Sequence, residues 1–414
     1  MSSLTLIGAH RAVSSLMEAK PKSWNVVRFK GLFDRLDQRN SDLSYEMLSL
    51  RSTGEVVARA TMGGRQEPDE INLPKYLVAE IDDLVVNPMW LIGGGVGVSQ
   101  RAGAVSPDYR VFRSRGALLP RFIHYLLRSQ PYLDQYLLYT RAQTTFDRRV
   151  QQPDLDNLPI PVPPLEEQRA IADYLDRETA RIDTLIEEQQ RLIEMLRERR
   201  EATIRSALLC GLDGAETSPS GVKLLGAVPK HWRMIPTRYL CTITTGSEDS
   251  GNATDEGEFP FYVRGREVLR IDRYSFEGEA VMTPGDGQGG TGKVFHYFDG
   301  KFEAHQRVYV FTDFTDVTGW YFYYFLSTFL RPVALAGSNT VTMESLRRPL
   351  LADFKVAVPP IDEQQRIATY LDDQTAKIDM LIAEAERFIV LVRERRSALI
   401  TAAVTGKIDV RGSL

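Results

Sequence analysis

Two long segments of nearly the same sequence, one in the middle of the chain and one near its end, constrain this polypeptide more than any other feature. PPLEEQRAIADYLDRETARIDTLI, beginning at Pro163, returns 196 positions later as PPIDEQQRIATYLDDQTAKIDMLI, beginning at Pro359, and RERREATI returns as RERRSALI without a gap. Roughly half of the paired positions are identical, more than shared helical composition produces, so the chain carries an internal repeat.

Each copy has the pattern of a long helix. Leu175, Ile182 and Leu196 fall in sevens or a multiple of seven, Leu185 and Leu192 are expected to fill the seam between them, and Ile186 and Ile193 widen it. The second copy repeats this with Leu371, Ile378 and Val392, then Leu381 and Phe388, then Ile382 and Ile389. Such a stripe is broader than a two-stranded seam needs, so each helix is expected to pair with its twin and keep surface for another chain. The expected subunit-interface residues are Leu175, Ile182, Ile186, Ile193, Leu371, Ile378, Ile382 and Ile389. Both copies start after a Pro pair with acids in the first turn (Glu166, Glu167; Asp362, Glu363), where the helix dipole favours them. Both place arginines (Arg197, Arg199, Arg200; Arg393, Arg395, Arg396) towards the other end.

With 414 residues, 43% hydrophobic and 26% charged, the chain is long enough for two to four domains and has ample material for globular cores. The longest apolar runs, such as WYFYYFL, are far short of a membrane span, and the N-terminus lacks a signal-peptide core, so a cytoplasmic protein without membrane contact is expected. Two cysteines and five scattered histidines argue against a disulfide framework and a structural zinc, and both thiols are expected to be reduced and buried. A net charge of −4 excludes a surface that coats nucleic acid throughout. The first globular segment is net positive and the first long helix net negative, so any DNA-contacting surface belongs outside the helices.

The repeat extends beyond the helices. PKSW (Pro21 to Trp24) opens the first globular segment and PKHW (Pro229 to Trp232) the second. In both, strand-like stretches separated by turns lead into a helical pattern, LLPRFIHYLLRSQPYLDQYLLYT in the first and GWYFYYFLSTFLRPVAL in the second. The expected divisions are an N-terminal segment 1–20, a mixed α/β domain 21–160, a helical region 161–213, a second mixed α/β domain 214–356 and a second helical region 357–414.

This arrangement resembles the specificity (S) subunit of type I restriction-modification enzymes, built as target-recognition domain, conserved helix, second target-recognition domain, conserved helix. The likeness covers nearly the whole chain and rests on the duplicated PP…EEQ/DEQQ…TA…ID…LI helix starts, RERR in both copies, TGKI at Thr405 to Ile408, and the PKSW/PKHW openings. The first copy departs from it with CGL where the second has TGK. The resemblance implies an α/β (α+β) fold: two mixed α/β target-recognition domains separated by two long antiparallel coiled-coil helices in a pseudo-twofold repeat. It also implies double-stranded DNA as ligand, two modification (methyltransferase) subunits and restriction (translocase/endonuclease) subunits as partners, and no cofactor in this chain. S-adenosylmethionine, ATP and Mg²⁺ would sit on the partners.

One motif points elsewhere. GDGQGGTGKV (Gly285 to Val294) contains G-x-x-x-x-G-K, the start of a nucleotide-binding P-loop, but Val294 stands where the Mg²⁺-binding hydroxyl belongs and VFHYF reads as strand, not helix. LIGGGVGVSQ is its counterpart in the first domain, and both read as loops where backbone approaches the domain itself or a DNA strand. Basic, amide and hydroxyl residues near these loops are the candidate DNA contacts, because Arg can grip guanine, Asn or Gln adenine, and Lys or hydroxyls phosphate. They are Arg101, Arg141, Gln143, Thr144, Arg148 and Arg149 in the first domain, and Arg264, Arg266, Gln288, Thr291, Lys293, Asn339 and Thr340 in the second. The aromatic run from Trp320 to Phe325 reads as core.

No nucleophile elbow, nuclease-type acidic cluster or methyltransferase NPPY/DPPY run is present in the sequence, so a non-catalytic DNA reader is expected. Two unlike domains on one chain would read two halves of a split, asymmetric site. An orphan adenine-methylation system remains an alternative within the family. A coiled-coil scaffold without DNA specificity accounts for the helices but not for two domains whose frames agree while their loops differ.

Overall fold

The long helices form where the repeat places them. A computed structural model describes residues 13–14, 16–18, 20–62, 72–140, 148–286, 291–336 and 345–410. The chain divides into two compact units, Met1–Gln189 with Arg387–Leu414, and Gln190–Glu386. The division falls inside both long helices, so each unit keeps the first half of one and the second half of the other instead of leaving the helices as regions of their own.

In the first unit the elements run β1 (Asn25–Arg28), β2 (Phe33–Leu36), β3 (Leu84–Val86), β4 (Val96–Val98), β5 (Arg110–Ser114), α1 (Pro120–Leu127), α2 (Gln130–Tyr139), β6 (Pro159–Val162) and the start of α3 (Leu165–Cys210). Short paired strands at Leu48–Leu50, Val56–Ala58, Leu77–Ala79 and Gly103–Val105 lie between β2 and β5. The main sheet has the order β2-β5-β3-β4, all antiparallel, and β1 pairs with β6. Alternate side chains serve two cores, as the strand period of two requires. Leu84, Val86 and Phe112 face α1, α2 and the long helices, while Val85 and Val111 pack with Leu48, Leu77 and Val105. The expected single helix over residues 118–140 is two, because Arg128 and Ser129 leave helical geometry and Pro131 starts the second.

In the second unit the end of α3 leads to β7 (Arg233–Pro236), β8 (Thr242–Thr245), β9 (Phe259–Tyr262), β10 (Val268–Ile271), β11 (Phe276–Pro284), β12 (His296–Ala304), β13 (Val308–Thr312), α4 (Gly319–Ala336), β14 (Lys355–Val358) and the start of α5 (Ile361–Val404). Its sheet, β8-β13-β11-β12-β9-β10, repeats the first unit's four-strand order and adds two strands, with β9 parallel to β12. As β1 pairs with β6, β7 pairs with β14. Tyr321, Phe322 and Phe325 are fully buried, so the aromatic run is core.

The repeat is built from the same contacts twice. Gln168, at the start of α3, is fully buried; its Oε1 accepts from Leu119 N at 2.8 Å and its Nε2 donates to Ala117 O and Pro163 O. Gln364 does the same at the start of α5, accepting from Thr318 N and donating to Asp316 O and Pro359 O. Each glutamine amide thus satisfies buried backbone groups of the loop before a recognition-domain helix, groups that would otherwise cost about 1–3 kcal/mol apiece. The PKSW and PKHW openings have an equivalent role. Trp24 packs against Gly406, just past α5, and Trp232 against Gly211, just past α3; both glycines have positive φ (70° and 68°), the left-handed helix stop that favours Gly.

The arginine clusters do not serve the helix dipole, since neither long helix has a basic residue in its last turn. They stand further in and pair with the other helix segment of their own unit. Arg396 lies 3.1 Å from Asp183 in the first unit; Arg200 lies 2.9 Å from Asp379 and Arg197 3.2 Å from Glu386 in the second. Rising numbers on one segment meet falling numbers on the other, so the two segments in the second unit run antiparallel.

Candidate nucleic-acid interface

The described ends of the loops that were expected to matter lie together at one end of each sheet. In the first unit the glycine-rich turn at 93–95 joins β3 to β4, and the chain returning from α2 arrives beside it, with Val150 N donating to Pro88 O at 3.0 Å. In the second, Leu346 N donates to Gly285 O at 2.7 Å in the same way, 196 residues later. Much of the glycine is required by the domain itself. Gly94 has φ 79° and its carbonyl accepts from Arg128, and a Cβ on Gly97 would lie 1.8 Å from the carbonyl oxygen of Gly54. After the GDGQGGTGK segment the chain enters β12, not a helix, so the P-loop reading fails on structure as well.

The candidate DNA contacts fare unequally. Arg141, Gln143, Thr144, Gln288, Asn339 and Thr340 lie outside the described residues. Arg148 and Arg149 stand where the chain returns to the sheet end, Arg149 3.6 Å from Asp108. Arg264, Arg266 and Lys293 are exposed in the second unit, Arg264 3.8 Å from Asp286, which also takes Arg307 at 3.1 Å. Beside them burial, aided by Arg264 and Arg307, lowers the His305 imidazole below its usual range. Two candidates are corrected. Thr291 is buried at 3% exposure and engaged within the protein, so it does not present its hydroxyl to a ligand. Arg101 follows β4 beyond Val98, whose partner Leu84 pairs with Phe112, and so lies at the opposite sheet end, 3.5 Å from Glu46. Sequence reasoning missed Arg35, Arg110 and Arg307, which are brought to the loops by pairings between strands distant in sequence.

The expected subunit-interface residues also need correction. Leu175, Ile182, Ile193, Leu371, Ile378 and Ile389 are buried within the chain, and Ile186 and Ile382 are half-buried, because the helix segments and recognition domains cover them. The residues assigned to the seam are the ones left outside. Leu185 is 36% exposed and Phe388 42% in the first unit; Leu381 is 49% and Leu192 38% in the second. Leu391 in the first unit and Met195 in the second extend these surfaces at equivalent repeat positions.

Cys241 is half-buried, and burial pushes its thiol up to about 12, but Cys210 is exposed at the end of α3, contrary to expectation. Among the described residues there is no cluster of potential metal ligands, and no helix long and apolar enough to cross a membrane.

Comparison with known proteins agrees with this architecture. The solved chain described as "Structural basis underlying complex assembly and conformational transition of the type I R-M system" superposes with a TM-score of 0.69 at 18% identity, covering 94% of this chain and 99% of that one. The HsdS subunit from Thermoanaerobacter tengcongensis superposes with a TM-score of 0.56 at 16% identity, covering 94% and 98%. In sequence, the type I restriction enzyme EcoDI specificity subunit of Escherichia coli is 28% identical over 183 residues, 44% of this chain and 40% of that relative. The family described as type I restriction modification DNA specificity domain matches residues 98–195 and 229–386, each stretch joining part of a recognition domain to part of a long helix, and the chain therefore belongs to that family.

Proposed function

We propose that this chain is the DNA-reading subunit of a type I restriction-modification complex, with each recognition domain reading one half of a split, asymmetric site. The observation that carries this reading is one frame built twice with unlike ends: the same four-strand order and the same buried glutamine, beside loops of different sequence and charge. Duplication of the frame gives two docking geometries of one kind, and divergence of the loops gives two sequences read. Chemistry on the DNA belongs to partner subunits, and this chain supplies address, not catalysis. The exposed apolar residues at equivalent positions in the two units, Leu185 with Phe388 and Leu381 with Leu192, suit two copies of one modification subunit.

The test is to co-express the chain with its modification subunits and map methylated adenines. A bipartite asymmetric motif is expected, and replacing residues 21–158 by the corresponding domain of a relative should change one half only. Both halves changing together, or no sequence-specific methylation by the assembled complex, would defeat the proposal.

A further inference from the structure

Arg110, on β5 of the first unit, is left electrostatically unfinished among the described residues. It starts β5 on the same face as the fully buried Phe112, so its side chain runs along the core towards the sheet end that carries the glycine turn. Its Nη1 is buried without a hydrogen-bond partner, and Arg110 makes no ion pair among the described residues. An unpaired buried guanidinium nitrogen costs stability and calls for an anion.

The neighbours add positive charge. Arg35 on β2 pairs with Phe112, a diagonal step of roughly 7–8 Å from Arg110 on the same sheet face, and makes no hydrogen bond or ion pair among the described residues. Arg149 reaches the same place from the returning chain, where Val150 is bonded to Pro88, and among the described residues its side chain pairs with the exposed Asp108 at 3.6 Å. Burial first, then Arg35 and Arg149, lowers the Arg110 guanidinium below its usual range, while Asp156 opposes this in part. Asp156 is itself held by Gln152 Nε2 at 2.7 Å. In the second unit the corresponding strand position is Tyr309, whose hydroxyl donates to Leu346 O at 3.3 Å, so that site is neutral and satisfied. The unfinished charge is therefore particular to the first domain.

We infer that Arg35, Arg110 and Arg149 together grip one backbone phosphate of the DNA strand lying across the glycine turn of the first recognition domain. This rests on the proposed DNA-reading function and assigns the contact that fixes register, not the one that reads a base. A phosphate supplies the acceptor oxygens that the guanidinium groups lack, in charge-assisted bonds.

The experiment uses the full complex with its modification subunits and a labelled duplex carrying the mapped site, titrated across a range of salt. Arg35→Gln and Arg149→Gln are each expected to weaken binding about tenfold at low salt and to flatten the log–log salt slope by about one, without changing the sequence preferred. Arg110→Gln should do the same if it folds, and the exposed Arg35 makes the outcome independent of that. A variant complex that keeps its subunits and shows the wild-type slope overturns the phosphate grip while leaving the DNA-reading function intact. Loss of modification subunits with duplex affinity unaltered in the complexes that remain assembled also overturns it, since the cluster would then be holding a partner's carboxylate. A wild-type complex that binds no duplex overturns the functional reading, and the grip with it.

Discussion

The two units use one frame under different surfaces. Where the first has Tyr125 donating to Asp176 at 2.5 Å with Thr179 beside it, the second has Tyr324 donating to Asp372 at 2.7 Å with Thr375 beside it. One turn away on the same helices the correspondence ends. Arg121 binds Asp173 and Asp176 in the first unit, whereas at the equivalent position of the second Trp320 Nε1 donates to Asp372; Tyr323 stands at the position equivalent to His124, and Ser327 at that of Arg128, which tethers the glycine turn of the first unit. The shared contacts are those that join a recognition domain to the long helices, while positions facing outward or towards the loops vary. A frame closed by buried polar bonds tolerates such variation, because those bonds fix geometry without relying on the loops.

The comparison breaks most visibly at the tryptophans. Trp24 and Trp232 are buried against equivalent helix stops, so truncating either should cost about 3–5 kcal/mol, and each loss should stay within its own unit. Hydrogen exchange read peptide by peptide is the measurement. Trp24→Ala should speed exchange in residues 20–189 and 387–410 and spare 223–362, and Trp232→Ala should do the reverse. Equal opening of both units by either variant would show that the chain unfolds as one body.

Much of this frame was legible in the sequence because its signals are local or repeated. The helix boundaries, the domain order and the PK-x-W openings all sit in contiguous motifs, and Gln168 and Gln364 stand at the same offset within them. What was missed depends on strand pairings and on burial. Arg35 and Arg110 are distant in sequence and meet only through the β2–β5 register, and Arg101 looked close to the glycine turn only because it is near it in sequence. Leu185 and Leu192 fit the heptad as well as Ile182 and Ile193 do, and which pair faces inward is decided by the partners each half-helix meets, which periodicity cannot state.

A smaller effect separates His124 from Tyr323. Burial first, then Arg128, with Arg396 also opposing the charged form and Asp176 and Glu55 favouring it, pushes the His124 imidazole down to about 4 from its usual 6.5. Between those values the unfolded chain binds a proton that the folded unit does not, so the histidine's contribution is complete above pH 6.5 and is lost as pH falls towards 4. At pH 5 this should cost the first unit about 1–2 kcal/mol relative to pH 7. His124→Tyr, which installs the second unit's side chain, should remove that part of the acid sensitivity in denaturant titrations at the two pH values. An unchanged pH dependence in a folded variant would mean that the imidazole is already as accessible in the folded unit as in the unfolded chain.

The finest distinction lies in the two equivalent ion pairs. Arg200 meets Asp379 with two aligned hydrogen bonds, Nε to Oδ1 at 2.9 Å and Nη2 to Oδ2 at 3.1 Å. Arg396 meets Asp183 with one, Nη2 to Oδ2 at 3.3 Å, while its Nε lies 3.1 Å from Oδ1 without the angle a hydrogen bond needs. All four side chains are about a third to a half exposed, so water screens both pairs and neither should couple by more than about 1 kcal/mol. Within that limit a two-bonded fork holds its geometry better than a single bond, so the Arg200–Asp379 coupling should be the larger. Double-mutant cycles with Arg→Met and Asp→Asn in each unit, read from denaturation midpoints, give both couplings free of the effects of the single substitutions. Equal couplings would show that solvent screening, and not bond alignment, sets the strength of both pairs; a larger one at Arg396–Asp183 would show that alignment in the static structure does not rank them.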